Sequence, residues 1–487
     1  MRRWLAIPLL LLAGLIAVLA VNLLRYGQAQ PQPAPVDAVT AADRAAADLL
    51  ARAIRFRTVS HADRSRMDRE AFLAFQGFLG DAFPRVHEAL RLERVNELSL
   101  LYTWPGAEPG RSPLLLTAHY DVVPVEPGTA AQWRHPPFAG RVVDGTVWGR
   151  GALDDKVGVI ALLQAVETLL AQGFQPARPV MIAIGHDEEV GGQEGARRIA
   201  ALLEDRGVRI PWMIDEGGII AEGMMPGVEA PVALVQIAEK GYVTFSLTAE
   251  AQGGHSSMPP RNTAVGILGS ALHRLERNPM PTRVTPPVDA LFAYTAPHMP
   301  LVQRTAVANR WLLSGLLIPQ LTSSPQGNAM VRTTLAPTVM RAGVKDNVLP
   351  ARARALVNAR LLPGATPDAV LDHVRSVIDD DRVKVELREG YEAPPVARVD
   401  APGFRDIAGV VRGQFPEAVV APSLLVATTD SRHYRDVVRD IYRFRPTRLD
   451  AERLETIHGR DERISVESVA QTTAFYRHLL REAASDG

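Results

Sequence analysis

The chain has 487 residues, 47% apolar and 22% charged, an ordinary balance for a folded protein and more chain than one hydrophobic core usually occupies. Its 54 basic and 54 acidic residues cancel, so bulk electrostatics indicate no nucleic-acid partner and specificity must be local. Cysteine is absent, which excludes disulfides, thiolate metal sites and cysteine nucleophiles and leaves any metal to histidine and carboxylate ligands.

At the amino terminus, Arg2-Arg3 precedes an apolar stretch over residues 4–24 that only Gly14 and Asn22 interrupt. A helix needs ~20 apolar residues to cross the hydrocarbon layer, so residues 1–27 read as a transmembrane anchor. The arginines before it place the bulk of the chain outside the cytoplasm, periplasmic or extracellular. The alternative is secretion after signal cleavage, with Gly27-Gln28-Ala29 as the small-x-small site. Residues 28–40, rich in proline and glutamine at their start, read as an extended or flexible linker.

Helical patterning follows over 39–54 and 69–79, then strand-like alternation over 94–104. Three short apolar runs, 114–118, 180–184 and 212–214, read as buried parallel strands. They lead into His119-Tyr120-Asp121, Glu188-Glu189 and Asp215 respectively. The carboxyl ends of such strands are where an open α/β sheet gathers its functional groups. Between the first two, Asp154-Asp155 opens a helix with a broad apolar face that Gly173 closes. After Lys240-Gly241 the pattern changes. Strands over 242–249, 352–362 and 383–387 and helices over 263–276 and 367–378 match five of the six elements in the β-α-β-β-α-β order of a ferredoxin-like module. The expected division is therefore a linker to residue 40, a catalytic domain of residues 41–240 and 391–487, and an insertion over 241–390. Residues 279–344, rich in proline and threonine, do not fit the simple module and predict an extra helical hairpin or an excursion over the site.

The His119 imidazole can bind a metal while the Asp121 carboxylate accepts the other ring proton. Adjacent Glu188 and Glu189 repel unless a cation or proton separates them, so one can bind metal and the other activate water. Asp154 reads as a ligand or as a helix cap. Asp215, before Glu216-Gly217-Gly218, reads as a ligand or a turn aspartate, and His458 as a ligand or a loop histidine. Together these groups can serve two divalent cations in amide hydrolysis. Hard carboxylates with imidazole suit zinc, with cobalt or manganese as substitutes.

The motifs at 116–124, 148–156, 185–189 and 215–218, with Gly254-His255-Ser256-Ser257, resemble the co-catalytic zinc metallopeptidases of the aminoacylase and carboxypeptidase G2 family. Within it they are closest to the carboxypeptidase S branch, which includes N-fatty-acyl amino acid hydrolases. The likeness runs from about residue 45 to the end. It implies an α/β zinc-peptidase domain with a mostly parallel sheet, and a ferredoxin-like lid or dimerisation domain through which the chain forms a homodimer or covers its own site. By position it implies two zinc ions bridged by Asp154, one completed by His119 and Asp215, the other by Glu189 and His458. Glu188 would be the general base, Asp121 would orient His119, and the Asp154–Asp155 peptide would be cis. His255 would help hold the oxyanion, and Asn347 and Arg360 would grip a free substrate carboxylate. Arg432, in Thr428-Thr429-Asp430-Ser431-Arg432, is a second substrate-binding candidate or a surface ion pair. The expected activity is amide hydrolysis of a small peptide at its carboxy-terminal residue or of an N-acyl amino acid. Deacetylation of a small N-acetylated metabolite is the alternative. An inactive binding homologue fits less well, because all five inferred ligands and Glu188 are present.

Overall fold

Largely buried apolar runs build the centre of the larger sheet in a computed structural model that describes residues 2–485. Val180–Gly185, Leu114–His119, Ile210–Asp215 and Val438–Arg443 lie side by side and parallel. Strands buried on both faces need helices above and below. Ala41–Ala53, Lys156–Ala171 and Val466–Ala484 pack on one face, and Ala196–Asp205 on the other. Parallel alignment delivers His119, the turn after Gly185, and Asp215 to the same end of the sheet, at the carboxyl ends of these strands.

The sheet as a whole is mixed, not mostly parallel. Ser99–Trp104 pairs antiparallel with both Arg91–Val95 and Val180–Gly185, and Val232–Glu239 pairs antiparallel with Val438–Arg443. The short connection between the first two strands explains the first of these pairings, because parallel neighbours need a long crossover. Asn96 and Glu97 make it with φ of 49° and 67°.

Two local devices fix the helices near the site. Asp155 caps Lys156–Ala171, accepting from the Gly158 N–H at 3.2 Å, and the Asp154–Asp155 peptide is cis. Thr40 and Asp43 form a capping box at Ala41–Ala53. The buried Asp43 carboxylate also accepts from Arg477 at 2.9 Å, fastening this helix to Val466–Ala484.

Val232–Glu239 runs through Lys240 directly into Gly241–Glu250, the first strand of a second sheet. That sheet is antiparallel, in the order Thr334–Ala342, Arg352–Leu361, Gly241–Glu250, Val383–Tyr391, which is ferredoxin-like. Alternation puts Val243, Phe245, Leu247 and Ala249 on the face covered by Ala264–Arg277 and Pro367–Ile378. The chain that did not fit the module is helical: Pro286–Thr295, Leu301–Ala308, Arg310–Thr322 and Pro325–Val331 precede the strand Thr334–Ala342.

The helix Arg2–Arg25 is long and apolar enough to cross a membrane, a test that a signal sequence also passes, and none of its apolar span is buried. The segment after it is pinned rather than free. Gln28 N–H donates to the Ala293 carbonyl at 2.8 Å, the Gln30 side chain accepts from Val420 N–H at 2.8 Å, and Ala34 N–H donates to the Gly409 carbonyl at 2.9 Å.

Candidate metal centre

His119 ends its strand almost completely buried, with Nδ1 3.1 Å from the Asp121 carbonyl and 3.3 Å from its carboxylate. With Nδ1–H donating there, the Nε2 lone pair faces Asp154 Oδ1 at 3.0 Å and Glu216 Oε1 at 3.1 Å. The other Asp154 oxygen lies 2.9 Å from His458 Nε2, which is 3.1 Å from Glu189 Oε2. Asp154 therefore stands between two groups, His119–Asp154–Glu216 and Asp154–Glu189–His458, the ligand atoms of each lying within 4.8 Å of one another.

Buried groups behind the cluster hold it in place. The Asp121 carboxylate accepts from Ser60 Oγ at 2.7 Å and from the Glu188 and Glu189 N–H groups at 3.1 Å each. Burial pushes its pKa up, but these bonds and His119 outweigh that and hold it below the usual carboxylate range. Glu462 accepts from the Leu153 and Asp154 N–H groups at 2.7 and 3.1 Å and pairs with Arg150 at 2.6 Å. Arg150 donates in turn to the carbonyls of His458 and Gly459 at 3.0 and 3.1 Å, so one ion pair sets both Asp154 and the His458 loop. That loop turns at His458 with φ 59°.

The electrostatics suit a cation. Burial, with Asp154 close by, pushes the Glu189 carboxyl up to about 7 and the Glu216 carboxyl up to about 8. Hydrogen bonds to Asp154 and Glu189 raise His458 to about 10. Three carboxylates carry more negative charge than two imidazoles offset, and the buried Glu189 Oε1 has no hydrogen-bond partner among the described residues. A donor set of carboxylate oxygens and imidazole nitrogens fits a divalent metal.

The structure corrects one expected ligand. Asp215 lies outside both groups: its carboxylate accepts from Thr117 Oγ1 at 2.7 Å and from Ser431 N–H at 3.0 Å. Glu216, one residue on, faces His119 instead, because successive side chains at a strand end point to opposite sides. The missed signal was adjacent, in the Asp215-Glu216-Gly217-Gly218 run itself.

The substrate-side candidates divide. Arg360 lies over the Tyr242 ring at 4.8 Å, Arg432 over the Tyr391 ring at 5.4 Å, and the two tyrosines stack with centroids 6.0 Å apart. This ladder joins the second sheet to the 428–432 loop, where Arg360 also reaches Thr428 Oγ1 at 3.4 Å. Arg432 is buried and donates to the Gly191 carbonyl at 2.8 Å, so it is not a surface ion pair. His255 and Asn347 sit together at an exposed two-stranded ribbon formed by Gly254–His255 and Val348–Leu349, where Ser256 N–H donates to the Asn347 carbonyl at 3.2 Å. Among the described residues, no hydrogen bond or ion pair joins them to the metal cluster.

A mixed α/β sheet with a carboxylate–imidazole cluster at the ends of its parallel strands, carrying an α+β insertion, defines a metal-dependent hydrolase. The chain belongs to peptidase family M20/M25/M40, whose family model matches residues 115–482. It is 38% identical to the probable carboxypeptidase S-like 2 of Dictyostelium discoideum over 97% of this chain and 92% of that protein. It is 40% identical to the N-fatty-acyl-amino acid synthase/hydrolase PM20D1.1 of Danio rerio over 88% of this chain and 84% of that one. Among solved structures, human carnosine dipeptidase 1 shares the fold at 17% identity and a TM-score of 0.65, covering 92% of this chain and all of the other. The protein is thus an enzyme of the M20 metallopeptidase class, a metal-dependent family.

Proposed function

We propose that the protein is a two-metal amidohydrolase that splits an N-acyl amino acid or removes the carboxy-terminal residue of a small peptide. The observation that carries this reading is Asp154, one carboxylate facing an imidazole on each side, each imidazole with its own glutamate. His119, Asp154 and Glu216 would hold one cation and Asp154, Glu189 and His458 the other, with zinc favoured by the donors and cobalt or manganese as substitutes. When bound, such a pair polarises the scissile carbonyl and makes water a better nucleophile.

Glu188 takes the proton of the attacking water and passes it to the departing nitrogen. Burial and the neighbouring Asp430, Glu216 and Glu189 charges push its carboxyl well above the usual range, against the pull of His119, which suits a group that must both accept and release a proton. Arg360 and Arg432, presented by their tyrosine stack, bind the free carboxylate of the substrate. His255 and Asn347 meet the substrate when the inserted domain closes over the site or docks with a second copy. The amino-terminal helix anchors the enzyme with its catalytic domain outside the cytoplasm. Relatives named as carboxypeptidases and as N-fatty-acyl-amino acid synthase/hydrolases support this reading.

A panel of dipeptides, N-acetyl amino acids and long-chain N-acyl amino acids tests it. Glu188→Gln should abolish turnover on every substrate while bound metal stays near two per chain. Appreciable residual activity would refute the base assignment, and turnover confined to N-acetylated metabolites would favour deacetylation instead.

A further inference from the structure

The helical insertion over residues 286–331 has more apolar surface than the fold covers. Its inner side chains, including Val288, Phe292, Val307 and Leu317, cluster with Ala238, Leu362 and Leu424. On its outside, Leu301, Val302, Trp311, Leu312 and Leu316 are 68%, 81%, 62%, 45% and 72% exposed. No charged residue occurs over 311–331. A helix facing water ordinarily carries polar residues there, and a contiguous apolar patch marks an interaction site.

The neighbouring element has exposed apolar surface of its own. The end of the exposed apolar helix Arg2–Arg25 packs on Leu301–Ala308. Asn22 donates to the Asn309 side chain at 2.9 Å, Arg304 to the Leu23 carbonyl at 3.3 Å, and Arg310 to the Tyr26 hydroxyl at 2.6 Å. The patch therefore begins where the apolar helix ends. Tyr26, Trp311, Arg304 and Arg310 gather near this junction, the amphipathic rings and long cations that a membrane–water boundary selects.

We infer that Leu301–Ala308 and Arg310–Thr322 form a second membrane-docking element, lying in the boundary of the bilayer that the amino-terminal helix enters, with Val302, Trp311 and Leu316 among the acyl chains. This rests on the anchor reading above. The pinned segment after the helix holds the element in a fixed pose, and its cluster partners Ala238 and Leu362 stand two residues from Lys240 and Arg360, beside the arginine–tyrosine ladder.

Because the chain has no cysteine, single cysteines at Leu12, Val302, Leu316 and the exposed Val344 can each carry a nitroxide in the full-length enzyme. In phosphatidylcholine–phosphatidylglycerol vesicles, collision with lipid-soluble oxygen should exceed collision with a water-soluble nickel chelate at Leu12, Val302 and Leu316, and the reverse should hold at Val344. Lipid contact at Leu12 with chelate contact at Val302 and Leu316 would overturn the docking element and leave the anchor standing. Chelate contact at Leu12 too would overturn both. Shielding of Val302 and Leu316 from both reagents would mean that a second copy covers the patch, and would equally overturn the inference.

Discussion

Asp215 and Glu216 are neighbours in the chain with carboxylates in different surroundings. Glu216 faces His119 Nε2, while Asp215 ties the Thr117 strand to the loop that carries Arg432. Glu216→Ala should therefore leave about one bound metal per chain and little activity, since one of the two cation groups loses a ligand. Asp215→Asn should keep both metals and instead raise KM, because an amide has one acceptor oxygen where the carboxylate gives one each to Thr117 and Ser431. Metal analysis of the two purified variants separates these roles, and loss of metal from Asp215→Asn alone would reverse the assignment.

At the scale of elements, the helix Val466–Ala484 holds the catalytic domain together from its far end. Arg477 and Asp43 are both essentially inaccessible, so removing one partner strands a buried charge. Arg477→Met should cost about 3–5 kcal/mol in denaturant unfolding. The same helix brings Glu482 near Asp406 of Pro402–Gln414, where burial first, and then Glu482, raise the Asp406 carboxyl to about 6. Between the unfolded value near 3.8 and 6, the folded chain keeps a proton that the unfolded chain releases. Stability from this group therefore falls as pH rises through that window, and the loss is complete above it. Asp406→Asn should raise the stability of the enzyme by roughly 1–2 kcal/mol at pH 7.5 and leave it unchanged at pH 3.5, as thermal melts would show.

At the scale of the whole molecule, the ladder of Arg360, Tyr242, Tyr391 and Arg432 spans the junction of the two sheets. Arg360→Ala should raise KM about tenfold for substrates with a free carboxylate and leave amidated analogues unaffected. Equal losses on both would mean that the ladder only braces the domains.

This ladder was not legible in the sequence, because Tyr242 and Tyr391 meet only through the register of Gly241–Glu250 against Val383–Tyr391. The strands before His119, Glu188 and Glu216 were legible, since a wholly buried parallel strand leaves a short apolar run with a polar end. Which of two adjacent acids turns inward was not, for it depends on how the strand Ile210–Asp215 ends. The His458 loop carried no periodic signal of its own, and only the likeness to a known family singled it out. The insertion over 286–331 was legible only as an extra helical hairpin or an excursion, without element bounds. Its helices are apolar on several faces and broken by proline, so no amphipathic period announced them.

The hydrogen bonds of Gln30 and Ala34 fall on the domain side of the Gly27-Gln28-Ala29 step. A chain trimmed at that step would begin with its new end already fastened to Val420 and Gly409. Released and tethered forms of this enzyme would then share one folded body, differing in where they can travel and not in how they are built.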